Sequence, residues 1–197
     1  MKKILLKNAK LVDDKGIRKS DILIEGEKIA AEEKRGFFEA DELKGEFKVI
    51  DLEGKYIFPG IIDAHTHYLL YSRGTVTADD FYQGSVLAAA GGVTTIIDYI
   101  DFPEDGNLKQ SVAERKKEAQ DSIIDYNFHQ VVQDFDENIS ENLADLKELG
   151  LASIKLFTTY KNVGYMIDRE KWSDLFKRLK EIEILPQVHA EDDALIQ

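Results

Sequence analysis

From residue 57 onward, short apolar runs alternate with helical patterns, and this rhythm constrains the fold more than any other property of the chain. The runs at 57–63, 94–100, 126–132, 152–158 and 184–190 read as strands. The stretches 79–91, 108–121, 138–149 and 169–182 carry helical spacing. Leu143, Leu146 and Leu149 recur on one helical face, and Gly150 follows as a stop signal. Strands and helices in strict alternation imply a parallel sheet with right-handed crossovers. The expected fold is α/β, a partial (β/α)8 TIM-like barrel of about five strands.

Residues 1–56 have a different rhythm, of short strands and tight turns. Ile4–Leu6, Leu11–Val12, Asp21–Ile24 and Phe47–Leu52 read as strands. Asp13–Gly16 and Glu25–Lys28 read as turns. The polar stretch 31–46 is expected to be a loop. The division is therefore a small N-terminal β-sandwich module over 1–56, and an incomplete barrel over 57–197.

Composition narrows the function classes. A net charge of −12 argues against a nucleic-acid partner, because phosphate binding needs a basic surface. The absence of cysteine removes disulfide frameworks, thiolate zinc sites and cysteine nucleophiles together. The apolar run near Met1 ends at Lys7 and Asn8, too early for a signal peptide, and no segment is apolar enough to span a membrane. The expectation is a cytoplasmic protein acting on a small molecule.

The chemistry-bearing residues gather at the expected strand ends. His65 and His67 follow the apolar run Tyr56–Ile62, which reads as a buried parallel strand. Alternate side chains of an extended segment share a face, so an His-x-His step aims two imidazoles at one point. Imidazole is the commonest metal ligand. His189 ends the fifth strand, and Lys155 sits within the fourth. A lysine on a central strand is costly to bury as an ammonium. Either its strand face is exposed, or its pKa is depressed and the neutral amine can take up carbon dioxide as a carbamate. In a barrel of this kind functional groups collect at the C-terminal ends of the strands, where His65, His67, Lys155 and His189 all fall. His129 reads as a satisfied core or rim histidine. Asp63 shares the parity of the two histidines, and reads equally as a partner of a ligand or as a strand-end carboxylate.

Five segments spread along the chain carry a resemblance. They are Pro59–His67, Gly74–Phe81, Gly91–Asp98, Lys155–Lys161 and Gln187–Glu191. In this order they resemble the N-terminal part of the dihydropyrimidinase/D-hydantoinase branch of the amidohydrolase superfamily. The resemblance implies hydrolysis of the cyclic amide bond of dihydropyrimidine or hydantoin-type substrates. It implies two Zn2+ ions per complete site, with His65 and His67 on one, carbamylated Lys155 bridging both, and His189 on the second. It implies that Tyr160 donates its hydroxyl to the developing oxyanion, that Tyr68, Leu69, Leu70 and Tyr71 line the substrate pocket, and that the protein is a homo-oligomer, tetrameric in complete relatives.

The chain also departs from that pattern. About 140 residues follow Phe58, against roughly 250 for a closed barrel. The family's later histidine and aspartate have no counterpart, so a fragment that is inactive alone is expected. Dihydroorotase-like relatives carry an arginine where Leu69 stands; an apolar loop suits a neutral ring with a hydrophobic substituent, although Arg73 lies near. Two alternatives remain open at this point: a non-catalytic dihydropyrimidinase-like protein, which retention of the four ligands opposes, and an allantoinase- or dihydroorotase-like hydrolase, which Leu69 and Asp79–Phe81 oppose.

Overall fold

The computed structural model describes residues 3–38, 47–72 and 74–196, so that 1–2, 39–46, Arg73 and Gln197 lie outside the described residues. The chain divides into two compact units, Met1–Pro59 and Gly60–Gln197.

The first unit is built on β1 (Lys3–Asp13), β2 (Gly16–Glu25), β3 (Lys28–Lys34), β4 (Phe47–Asp51) and β5 (Tyr56–Ile57). They form one sheet in the order β3-β2-β1-β4, with β5 also on β1. This single sheet is the β module of the first unit among the described residues. β1 pairs antiparallel with β2 and parallel with both β4 and β5. A bulge between Leu6 and Ala9 separates the two parallel stretches. Asn8 occupies the left-handed region there, and its amide N–H donates to the buried Asp21 carboxylate at 2.8 Å. The expected loop over 31–46 is corrected in part, because 31–34 belong to β3. This strand is polar because it is a sheet edge. Its Glu32 is held by Arg18, which also pairs with Asp13.

The second unit contains β6 (Ile61–Asp63), the hairpin β7 (Tyr71–Ser72) and β8 (Thr75–Val76), α1 (Phe81–Ala90), β9 (Val93–Ile100), α2 (Leu108–Glu118), β10 (Asp125–Val131), α3 (Glu137–Glu148), β11 (Ser153–Phe157), α4 (Trp172–Glu181), β12 (Leu185–His189) and α5 (Asp193–Ile196). The main sheet runs β12-β11-β10-β9-β6, and every pair in it is parallel. Chain order equals spatial order, as in a curled sheet that winds in one direction.

The apolar run 56–62 is not one buried strand. Tyr56–Ile57 joins the first sheet and Ile61–Asp63 the second. Pro59, which has no N–H to give a ladder, and Gly60 lie between the two. A Cβ on Gly60 would lie 2.0 Å from the Thr94 hydroxyl, so only glycine lets the chain pass there. Ile61 and Ile62 are exposed because β6 is an edge strand of the sheet.

Strand parity separates core from site. Ile96, Ile100, Phe128, Ile154 and Leu156 face the helices and join Leu108, Val112, Leu143, Leu146, Leu175 and Leu179 in one buried cluster. Helix α3 begins at Asp136, whose carboxylate accepts from the Ile139 amide at 2.8 Å. It ends in a Schellman turn. The Leu151 amide reaches the Leu146 carbonyl at 2.9 Å and that of Gly150, at φ +88°, reaches Lys147 at 3.0 Å. Leu146→Ala should therefore cost about 2–5 kcal/mol of stability, and Asp136→Ala about 0.5–2 kcal/mol, both read from urea denaturation of the chain.

Candidate active site

The residues on the opposite strand face come together because of register. Tyr99 of β9 stands opposite His129 of β10, Val131 opposite Lys155 of β11, Lys155 opposite Gln187 of β12, and Phe157 opposite His189. All of these therefore share the face turned away from the helix core.

His65 and His67 follow β6 directly. Their Nε2 atoms lie 3.2 Å apart, with the ring planes at 77°. Two nitrogens on a tetrahedral zinc, each at about 2.0–2.1 Å, are separated by about 3.3–3.4 Å. The pair thus has the spacing of two neighbouring ligands of one cation. Desolvation pushes the His67 imidazole below its ordinary pKa, against the opposing pull of the Asp98 charge. A neutral ring is what a metal requires. Asp63 accepts the backbone N–H of His65 at 3.2 Å, and so shapes the turn.

A buried network holds this turn. Asp98, fully buried on β9, accepts from the Thr66 hydroxyl at 2.7 Å and the Tyr68 amide at 2.9 Å. Its other oxygen takes Arg115 of α2 at 2.9 Å. The same guanidinium donates to the carbonyls of Tyr68 and Tyr99 at 2.6 and 3.1 Å. One ion pair therefore grips the residue between the two histidines and the residue after them. Tyr68 turns its ring onto Phe81 and Gly84 of α1, where a Cβ on Gly84 would meet it at 2.4 Å.

The remaining candidates form a second group. His189 stacks on Phe157 with centroids 5.8 Å apart, and lies 5.2 Å from the Tyr160 ring. The His189 Nε2 faces the Glu191 carboxylate. Tyr160 has φ +65°, an unusual value for a bulky side chain. The Lys155 ammonium lies between the groups, 6.0 Å from the Tyr99 centroid and 5.4 Å from that of Phe157. Burial pushes its pKa down, and no carboxylate pairs with it among the described residues. The structure thus joins His65 to His67 and His189 to Tyr160. No cluster of three or more acidic or histidine side chains that could hold a metal is formed among the described residues.

Leu69 and Tyr71 line a recess of about 240 Å3 with Ile100, Phe102 and Arg115. His129 is buried and fully bonded, to Ser153, Gln187 and the Ala64 carbonyl. Tyr99, Asp98, Arg115 and Gln187 are the residues that sequence reasoning missed as partners of the histidines. Only the inward parity of Tyr99, on the strand next to that of His129, could have signalled one of them.

Fold and site together define a parallel α/β unit with an imidazole pair at the end of its first strand. No family model matches the chain. The chain is homologous along nearly all of its length to dihydropyrimidinases and D-hydantoinases, and spans about two-fifths of theirs. It is 37% identical to a dihydropyrimidinase of Dictyostelium discoideum, covering 98% of this chain and 38% of that protein. It is 37% identical to a D-hydantoinase of Geobacillus stearothermophilus, covering 98% and 40%. The crystal structure of a dihydropyrimidinase from Brevibacillus agri superposes with a TM-score of 0.88 at 36% identity, over 98% of this chain and 41% of that one.

Arg115→Met should destabilise the chain by about 3–5 kcal/mol, because it leaves the Asp98 carboxylate buried without its cation. Glu118→Gln, which removes only the exposed partner of Arg115, should cost less than about 1 kcal/mol. Paired chemical denaturation curves distinguish the two.

Proposed function

We propose that this chain carries part of the site of a metal-dependent cyclic-amide hydrolase, acting on dihydropyrimidine or hydantoin-type rings. The observation that carries the reading is the convergence of the His65 and His67 Nε2 atoms at 3.2 Å. The homology along 98% of the chain supports the substrate class. The curled parallel sheet is read as part of a (β/α)8 barrel.

In this reading His65 and His67 would hold one zinc and His189 a second, with carbamylated Lys155 serving both. The chemistry a zinc ion would supply if held there is Lewis-acid polarisation of the amide carbonyl and a lowered pKa for water. Lys155 is suited to carbamylation because burial favours its neutral amine. The neutral amine nitrogen attacks the carbon of carbon dioxide; a C–N bond forms as one C=O π bond opens onto oxygen, the nitrogen gives up a proton to water, and an anion with two oxygen donors results. Tyr160 donates its hydroxyl to the ring carbonyl oxygen as negative charge develops there. Leu69 and Tyr71 accept an apolar ring substituent, which favours a neutral cyclic amide over a carboxylate-bearing one. Among the described residues two imidazoles supply half of the four ligands that zinc usually takes, so binding by the chain is weak.

Calorimetric titration of the metal-free chain with zinc tests the metal reading. Binding should occur and be lost in His67→Ala; equal binding by that variant contradicts it. The substrate reading is tested in a chimera in which residues 1–197 replace the matching part of a D-hydantoinase. It should open dihydrouracil and a 5-substituted hydantoin, and Lys155→Arg should abolish this, since a guanidinium cannot form the carbamate. Tyr160→Phe should lower its kcat by about 10²–10³. A folded, zinc-loaded chimera without ring opening contradicts the assignment.

A further inference from the structure

A closed circuit of hydrogen bonds runs from the residue before His65, across the sheet, and back to His65. Its fixed point is the Ala64 carbonyl, which can only accept. His129 Nε2 lies 3.1 Å from it and therefore carries the proton. His129 is buried, and no carboxylate pairs with it among the described residues. Its ring is therefore neutral, and its Nδ1 is a bare acceptor. The Ser153 hydroxyl, 2.5 Å away, donates to that nitrogen, and Gln187 Nε2 lies against the ring, 3.0 Å from Nδ1 and 3.1 Å from Nε2; an amide oxygen in that place would oppose the bare Nδ1 lone pair. The amide nitrogen of Gln187 thus faces His129, and its oxygen faces Tyr99.

The remaining protons follow. The Tyr99 hydroxyl, 3.2 Å from Gln187 Oε1, donates to it. A phenol has one proton. Toward His65 Nδ1, 3.1 Å away, the Tyr99 oxygen can only accept. His65 must then hold its proton on Nδ1, which leaves a lone pair on Nε2 facing His67. The ring stack of Tyr99 on His67, with centroids 4.9 Å apart, holds the second imidazole beside the first.

We propose that Tyr99 is a positioning residue that, through Gln187 and His129, fixes His65 as the Nδ1–H tautomer with its Nε2 open to a metal. The function assigned to this tautomer rests on the metal reading above; the tautomer itself does not. The partner that sets a metal-binding histidine's orientation is commonly a carboxylate or a backbone carbonyl. Here it is a phenol whose own proton is committed elsewhere.

The test is the tautomer of His65, read by long-range proton–nitrogen NMR on the metal-free 197-residue chain. The wild type should show Nδ1–H. Tyr99→Phe removes the acceptor and should move His65 to the Nε2–H form that free histidine favours. Gln187→Leu keeps the Tyr99 ring in place, frees its proton to donate to His65 Nδ1, and should give the same Nε2–H form. Because the ring remains, that change cannot come from lost packing. Both variants should bind zinc about 10–100-fold more weakly. An Nε2–H wild type, or a His65 unchanged in both variants, overturns the proposal. If the tautomer changes as expected while His67→Ala leaves zinc affinity intact, the network assignment stands and the metal reading fails.

Discussion

The site depends on one buried ion pair, between Asp98 on the second strand of the parallel sheet and Arg115 on the helix that follows. Asp98 faces the helices, on the opposite side of its strand from Tyr99. The carboxylate nevertheless reaches the first strand's outgoing turn, through the hydroxyl of Thr66 and the amide of Tyr68. Those residues bracket His67. The edge strand β6 contributes only three residues to the sheet. A short strand with exposed apolar side chains is a weak anchor for two histidines. The fully buried carboxylate, with four donors around its two oxygens, supplies the rigidity that the strand lacks.

Much of the second unit was legible in its sequence, for physical reasons that can be named. Ile139, Leu143 and Leu146 lie on one helical face because 3.6 residues make a turn, and the glycine at 150 is where the chain needs positive φ. Strands β9 to β12 were legible because helices cover one of their faces, so that apolar residues recur along them. The first unit was less legible. Lys28–Lys34 is a strand without an apolar stripe, held by main-chain pairing and by Arg18, which links residues far apart in sequence. The run Tyr56–Ile62 misled because hydrophobicity reports burial, whereas this segment bridges two sheets and leaves Ile61 and Ile62 exposed.

At the site, the His-x-His step was legible because its geometry is local. Alternation alone places two rings on one side, and the 3.2 Å separation is the consequence. The partners of those rings were not legible, since Tyr99, Gln187 and His129 meet only through strand register. His189 and Tyr160 were each singled out, and they do adjoin; yet in this structure His189 turns its Nε2 to Glu191. The strand face turned away from the helices therefore holds two groups with the Lys155 side chain between them, over a stretch that corresponds to about two-fifths of the dihydropyrimidinases and hydantoinases it resembles.

The central claim is that the turn braced by Asp98 presents His65 and His67 as two ligands of one metal ion. Anomalous diffraction at the zinc edge, from crystals of the chain soaked in zinc, addresses it most directly. The account predicts a peak about 2.0–2.1 Å from both Nε2 atoms, with the Tyr99 hydroxyl still on His65 Nδ1. A peak at His189 and Glu191 alone, or His65 and His67 rings turned apart around no peak, would contradict it.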